Sequence, residues 1–308
     1  MKKTLLFIAI LLFTFQLING QTSSAPSSTI IDASQMLSDV KILSADDMQG
    51  RQVETPGGAK ARDYIVGRFK QAGLQSFGDS YLQEFEFTGR GDSKIKGINL
   101  VGYIKGNKNS DKYIIVTAHY DHVGVRNGAI YNGADDNASG VGALLAMAKY
   151  FDKNRPNNSI IFVALDAEEV GLQGAKKFVE KMPVKKESVL INVNMDMVSR
   201  SDKNELYASG TYHYPNLKPY LEAIAKTSAV KLLLGHDQPN PPQDDWTIQS
   251  DHAAFHQVKI PFIYFGVEDH KDYHRPTDDF ESVNQTFFVR AVETILSAVK
   301  SFDTNLSK

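Results

Sequence analysis

Four apolar runs of this 308-residue chain each lead into a side chain of the kind that binds metal ions. Tyr113–Ala118 runs into His119-Tyr120-Asp121, and Ile160–Leu165 runs into Asp166-Ala167-Glu168-Glu169. Val189–Val193 runs into Asn194-Met195-Asp196, and Ile260–Phe265 leads through a short polar loop to His274. A fifth element, Asn132-Gly133-Ala134-Asp135-Asp136-Asn137-Ala138-Ser139-Gly140, lies between the first run and a helical pattern. In open α/β sheets, ligands bind outside the carboxyl ends of the strands. His, Asp and Glu side chains delivered together to one such edge read as a metal site, and their number as a site for two ions.

Strand-like and helix-like patterns alternate almost to the end of the chain, which argues for an α/β fold: a three-layer sandwich around a mixed, mostly parallel central sheet. Helical spacing of Ala59, Ala61, Tyr64, Ile65, Phe69 and Ala72 predicts a helix over Gly58–Ala72, ending at Gly73. Further helices are expected over Val141–Phe151, Gly174–Met182, Tyr214–Thr227 and Asn284–Phe302. Alternation in Tyr81–Phe87 predicts an edge strand. Asn99–Ile104 and Tyr113–Ala118, separated by the polar turn Lys105–Lys112, are expected to pair as a hairpin and so make the sheet mixed. Neither an internal repeat nor a dividing linker is visible, so residues 29–308 read as a single catalytic domain. The Pro-rich stretch Gln238–Gln243 is the one long irregular insertion and precedes Ser250-Asp251-His252.

Residues 1–20 have the form of a secretory signal: Lys2 and Lys3, an apolar stretch from Leu5 to Ile18, then Gly20 before Gln21. That stretch is shorter than the roughly 20 residues a spanning helix needs. Residues 21–28, rich in Ser and Thr, read as a flexible segment. The protein is therefore expected to be exported, to a periplasm or beyond it, without stable membrane association after cleavage. Losing Lys2 and Lys3 and no acid moves the formal charge from −2 to −4. With no basic tract, nucleic acid is not an expected partner. The chain has no cysteine, so disulfides and thiolate ligands are excluded. Any metal must be held by imidazole and carboxylate, which suits zinc, manganese or cobalt.

Each motif alone has a plainer reading. His119-Tyr120-Asp121 could be a capping pair, Glu168-Glu169 a solvated charge pair, and Asp135-Asp136-Asn137 a helix N-cap with a turn. Asp196 resists this, because a carboxylate ending a buried strand is costly unless paired or metal-bound. His122, following Asp121, reads as a bystander. His252 lies where Ser250 or Asp251 could cap a helix. Trp246 and Tyr264 could border a side-chain pocket, although core packing suits Tyr264 better.

Taken in order, the motifs His-x-Asp, Gly-Ala-Asp-Asp-Asn-Ala-Ser-Gly, Glu-Glu-x-Gly-Leu-x-Gly, Asn-Met-Asp and Tyr-His-x-x-x-Asp-Asp resemble one family. It is the di-zinc aminopeptidases of the aminopeptidase Y and bacterial leucyl aminopeptidase type, and the resemblance extends from Leu43 to the carboxyl terminus. It implies two divalent ions per chain, expected to be zinc, with Asp136 bridging them. Glu169 and His274 would complete one site, and His119 and Asp196 the other. Asp121 would accept the other ring proton of His119, an arrangement that orients metal-bound imidazoles. Two ions, three ligating carboxylates and a bridging hydroxide balance to neutrality. Glu168 would serve as general base toward the metal-bridging water and then protonate the leaving amine. The family's cis peptide after the bridging residue would fall at Asp136–Asn137.

The implied function is an exported metallo-aminopeptidase that removes amino-terminal residues from peptides; substrate-binding residues stay unassigned. Two enzymes of the same fold remain alternatives: a glutaminyl cyclase-like acyl transferase and a same-clan carboxypeptidase. The cyclases work with one zinc and carry Trp beside the last His, where this chain has Tyr273. A binding module that has lost its metal is the non-enzyme alternative, and it conflicts with an intact ligand set.

Overall fold

The computed structural model describes residues 26–239 and 244–306. The signal reading of residues 1–20, most of the segment 21–28 and the core of the Pro-rich stretch, 240–243, lie outside the described residues. Among the described residues no helix is long and apolar enough to cross a membrane.

In chain order the strands are β1 (Leu82–Thr88), β2 (Lys94–Ile104), β3 (Asn109–His119), β4 (Gly124–Arg126), β5 (Ala129–Tyr131), β6 (Asn158–Leu165), β7 (Val189–Met195), β8 (Glu205–Ser209), β9 (Lys231–Leu234) and β10 (Phe262–Gly266). Among the described residues eight of them form one sheet in the order β1-β2-β6-β3-β7-β10-β8-β9, while β4 and β5 make a separate small ribbon. The β6-β3-β7-β10 core is parallel. β1 and β2 run antiparallel at one end, and β8 pairs antiparallel with β10 near the other.

The helices are α1 (Ala33–Leu43), α2 (Pro56–Gln71), α3 (Gly140–Lys153), α4 (Gln173–Glu180), α5 (Lys218–Ala225), α6 (His252–Gln257) and α7 (Gln285–Asn305). Strand side chains alternate between faces. Ile114, Val116 and Ala118 accordingly join the core under α1, α2, α3 and α7, while Ile115 joins Phe178 of α4 and Phe255 of α6 on the opposite face. Because both faces are covered, β6 is buried along its whole length. This is the expected three-layer sandwich.

Most expected elements are present. α2 begins two residues early, at Pro56, where the missing N–H of proline costs nothing and the Thr55 hydroxyl accepts a bond from Gly58 N at 3.2 Å. The helix expected over Tyr214–Thr227 is shorter, starting at Lys218-Pro219 after a tight turn over Pro215–Leu217. β1 buries Phe85 and Phe87 on one face, as its alternation predicts.

The expected hairpin between Asn99–Ile104 and Tyr113–Ala118 does not form. β6 lies between these strands, antiparallel to β2 and parallel to β3. The connection reaches across the start of β6: Asn107 N donates to Pro156 O at 2.9 Å and Gly106 N to the Ser159 hydroxyl at 3.0 Å. A Cβ on Gly106 would stand 2.4 Å from the Asn158 backbone, so only glycine permits the approach. β6 is apolar on both faces, and pairing along both edges satisfies its backbone away from water. The true hairpin is β1–β2.

Phe162, fully buried in β6, supports this arrangement from its centre. Phe162→Ala is expected to cost about 3–5 kcal/mol of stability, read from equilibrium denaturant unfolding.

Candidate metal centre

Strand register brings the ligand-type residues together. His119 is level with Leu165 across β3–β6, Thr117 with Asn194 across β3–β7, and Met195 with Phe265 across β7–β10. The parallel strands therefore end together, and the residues that follow emerge at one edge.

Asp136 occupies the middle. It sits in the irregular turn Ala134–Ser139 ahead of α3, where Asp136 and Asn137 leave helical geometry and their peptide bond is cis. Asp136 Oδ1 is 3.4 Å from His119 Nε2, and its Oδ2 is 3.1 Å from His274 Nε2. On the first side, His119 Nε2 is also 3.2 Å from Asp196 Oδ1. On the second, His274 Nε2 is 3.2 Å from Glu169 Oε2. Among the described residues two groups that could hold a metal ion result, His119-Asp136-Asp196 and His122-Asp136-Glu169-His274, with Asp136 common to both.

These separations fit the residues to zinc. Ligands about 2.0–2.1 Å from a tetrahedral ion stand about 3.4 Å apart, close to the four spacings above. His122, taken from the sequence as a bystander, is in contact with the cluster: its Nδ1 is 2.6 Å from Glu169 Oε1. That spacing is shorter than two ligands of one ion keep, so His122 serves as a prop for Glu169 rather than as a further ligand. Both His122 nitrogens and Glu169 Oε1 are buried without a well-aligned hydrogen bond, so the cluster is not self-satisfied.

Surrounding groups hold the backbone. Asp121 does not take the His119 ring proton on its carboxylate as expected. His119 Nδ1 is 3.1 Å from the Asp121 carbonyl oxygen, and 3.7 Å from the carboxylate. The carboxylate is engaged elsewhere, accepting from Glu168 N at 3.0 Å and Glu169 N at 3.3 Å. Asp121 thus sets the histidine and both glutamates at once. Asp278 accepts from Asp135 N and Asp136 N at 3.0 Å each, and the Asp135 carboxylate turns away to Ser199 and His270. Ser250 does not cap α6. Its hydroxyl donates to Asp196 Oδ2 at 2.7 Å and accepts from Asn194 Nδ2 at 2.9 Å. His252 points away, its Nε2 2.8 Å from Trp246 O. Trp246 and Tyr264 both line a small pocket beside Asp136, Glu168 and Asp196, and Tyr264 packs in an aromatic core cluster as well.

Sequence reasoning missed Arg51, which lies in no periodic pattern. Its fully buried guanidinium donates to Tyr120 O at 2.8 Å, Gly133 O at 2.8 Å, and Leu43 O and Asn132 O at 2.6 Å each. It ties the end of α1 to the segments carrying His119 and Asp136. Burial lowers its pKa to about 10 against the opposing pull of Asp136, Asp278, Asp121 and Glu169, so it stays charged at neutral pH.

Proton affinities across the site diverge. Burial works against the charged form of His119, but Asp196 and Glu168 outweigh it and raise its pKa well above the ordinary value. His274 is raised to about 10 by hydrogen bonds to Asp136 and Glu169. Burial lifts Glu168 well above the carboxylate range. Glu169 is depressed despite burial, because the imidazoles of His122 and His274 lie against its charged form.

Residues 99–299 match the model of Peptidase family M28, and the chain belongs to that family. It is 30% identical over 246 residues to aminopeptidase YwaD of Bacillus subtilis, a match covering 76% of this chain and 50% of that protein. The chain spans about half the length of the curated relatives it matches. Among solved structures, the B. subtilis zinc aminopeptidase BSAP superposes with a TM-score of 0.70 at 19% identity, covering 87% of this chain and 94% of that one. Porphyromonas gingivalis glutaminyl cyclase superposes with a TM-score of 0.74 at 17% identity, covering 88% and 99%. At such identities these structures share the fold.

Two outcomes are expected. Arg51→Met strands four backbone carbonyls, so it should lower stability by roughly 3 kcal/mol or more and speed metal loss to a chelator, with Arg51→Lys intermediate. Metal uptake should also be pH-dependent. His274 is raised to about 10 and is protonated in the metal-free protein at pH 7, whereas a metal requires its neutral form. Uptake must therefore release protons, and apparent affinity should climb as pH rises toward the His274 pKa. Titration calorimetry in buffers of different ionisation enthalpy checks this; affinity independent of pH would contradict it.

Proposed function

We propose that this chain is a metallo-aminopeptidase that hydrolyses amino-terminal residues from peptides. The observation that carries the proposal is the position of Asp136, with one oxygen toward His119 and the other toward His274. His119, Asp136 and Asp196 would hold one divalent ion, and Asp136, Glu169 and His274 a second, both read as zinc. Such a pair, when bound, supplies activation of a shared water and stabilisation of the charge developing on the scissile carbonyl.

The chain's own residues do the rest. Glu168 adjoins a ligand, lines the small pocket and carries a raised pKa, so it is suited to take a proton and return it to the leaving amine. Asp121 fixes Glu168 through its backbone and leaves its carboxylate available to the reaction. Of the carboxylates that line the pocket beside it, Asp136 and Asp196 would be committed to metal, which leaves Glu168 and Asp269 to attract an α-ammonium group. Its free volume is about 70 Å³, a small space beside the ligand residues. Free carboxylates at this end suit an aminopeptidase, which must hold an ammonium group, more than a carboxypeptidase. The cyclase alternative shares the fold, and fold does not select between reactions. The complete His119–Asp196 pair does not separate the two, because cyclases keep similar residues; against the cyclase stands Tyr273, whose ring stacks on His274 at 4.0 Å. The leader reading of residues 1–20 makes the enzyme an exported one.

The test separates assembly from catalysis. Glu168→Gln should retain two equivalents of metal while turnover of amino-acid anilides falls by roughly 10²–10⁴-fold, as loss of a positioned acid/base does. Glu169→Gln should lose metal from the group it shares with His274. Elemental analysis alongside kinetics decides: one equivalent of metal in active protein favours the cyclase, and full turnover by Glu168→Gln overturns the role of that residue.

A further inference from the structure

The cleft at the sheet edge has a second arm, much larger than the first. On the side of Glu169 facing β1 and β2, a groove of about 830 Å³ is lined by residues that include Phe87, Thr88, Ile95, Arg126, Glu169 and Val170. It adjoins the metal cluster at Glu169, and it lies toward the other end of the sheet from the Trp246–Tyr264 pocket. Its volume is of the size that takes a ligand of several residues. Phe87, Ile95 and Val170 give it apolar patches among polar groups. Among the described residues that line it, only Arg126 and Glu169 are charged. Arg126 stands on the β4–β5 ribbon, its guanidinium 5.9 Å from the centre of the Tyr131 ring, a contact that steadies an exposed cation. Lys94 adds positive charge at the rim, its Nζ donating to the Thr88 hydroxyl at 3.1 Å.

The two arms therefore differ in sign as well as size. With Asp136, Asp196 and Glu169 committed to the metals, the small arm keeps the carboxylates of Glu168 and Asp269, whereas the large arm keeps a guanidinium. A peptide lying across the metals with its amino end in the small arm places the residues after the scissile bond in the groove. Such a molecule is a zwitterion, with its ammonium at the acidic end and its carboxylate at the other. We infer that the groove is the binding site for the departing part of the substrate, and that Arg126 pairs with a free α-carboxylate, making short peptides the preferred substrate class. This rests on the peptidase reading of the metal cluster.

The experiment uses the zinc-loaded full chain and three substrates sharing one amino-terminal residue: a p-nitroanilide, a tripeptide and the same tripeptide with an amidated carboxyl end. The readout is the ratio of kcat/KM for the free-acid tripeptide to that for its amide, which a general folding defect does not move. The wild-type ratio should exceed one by up to about fivefold, the range of an exposed ion pair, and should shrink with added salt. Arg126→Ala should bring the ratio to one, and Arg126→Glu below one. Lengthening the peptide to ten residues should erase the preference, because the carboxylate then lies beyond the groove. A wild-type ratio of one, or a ratio unchanged in both variants, overturns the assignment of Arg126 while leaving the peptidase reading intact. Failure to hydrolyse any of a panel of amino-acid anilides or peptides with zinc present overturns both.

Discussion

Everything around the site follows from the need to hold one carboxylate, Asp136, between two imidazoles with its oxygens facing opposite ways. A carboxylate can serve two ions only if its plane and position are fixed, and its own side chain has too few torsions to adapt. The backbone must do the fixing. Asp278 takes the N–H groups of Asp135 and Asp136, Asn137 reaches Met195 O and accepts from Gly140 N, and Arg51 holds the Asn132 and Gly133 carbonyls. Gly133 has a φ of +57°, and a Cβ there would stand 2.0 Å from Asp136 O, so no other residue could open this turn.

Holding Asp136 there sets an electrostatic problem. Glu168, Glu169 and Asp196 crowd the same edge, and buried like charges raise one another's pKa. Part of the solution is local cation: His119 against Asp196, His274 against Glu169, and Arg51 behind the backbone. The other part is division of labour. Asp121, Asp135 and Asp278 turn their carboxylates to backbone N–H groups, where hydrogen bonds satisfy their charge. An acid-rich motif thus contains two populations, one facing the cluster and one building the frame.

The sheet itself is neutral as to reaction. A zinc aminopeptidase and a glutaminyl cyclase superpose on it about equally well, so the fold does not select between reactions. What distinguishes one reaction from another is the lining of that edge: which side is closed, which is open, and which sign of charge each presents. Here β10 and the segment around Trp246 line the small acidic side, while β1, β2 and the β4–β5 ribbon line a larger groove on the other.

The α/β class, most helices and the strands that carry the cluster were legible in the sequence, because burial on both faces writes continuous apolar runs and parallel strands end where those runs end. His119, Asp136, Glu169, Asp196 and His274 stood out for the same reason, as polar side chains just beyond apolar runs or, for Asp136, just ahead of a helix. Strand order was not legible. The run 99–104 and the run 113–118 look like neighbours, yet β6 from fifty residues onward separates them, since pairing is chosen by which edges need hydrogen bonds and not by sequence distance. Nor could the sequence place Arg51, His122 or Ser250 at the centre, or show that the Asp121 carboxylate serves two backbone N–H groups. Apolar periodicity is a local property, fixed by the geometry of a single helix or strand. Contacts among polar groups remote in sequence exist only once the sheet has assembled, and that is where the chemistry of this site resides.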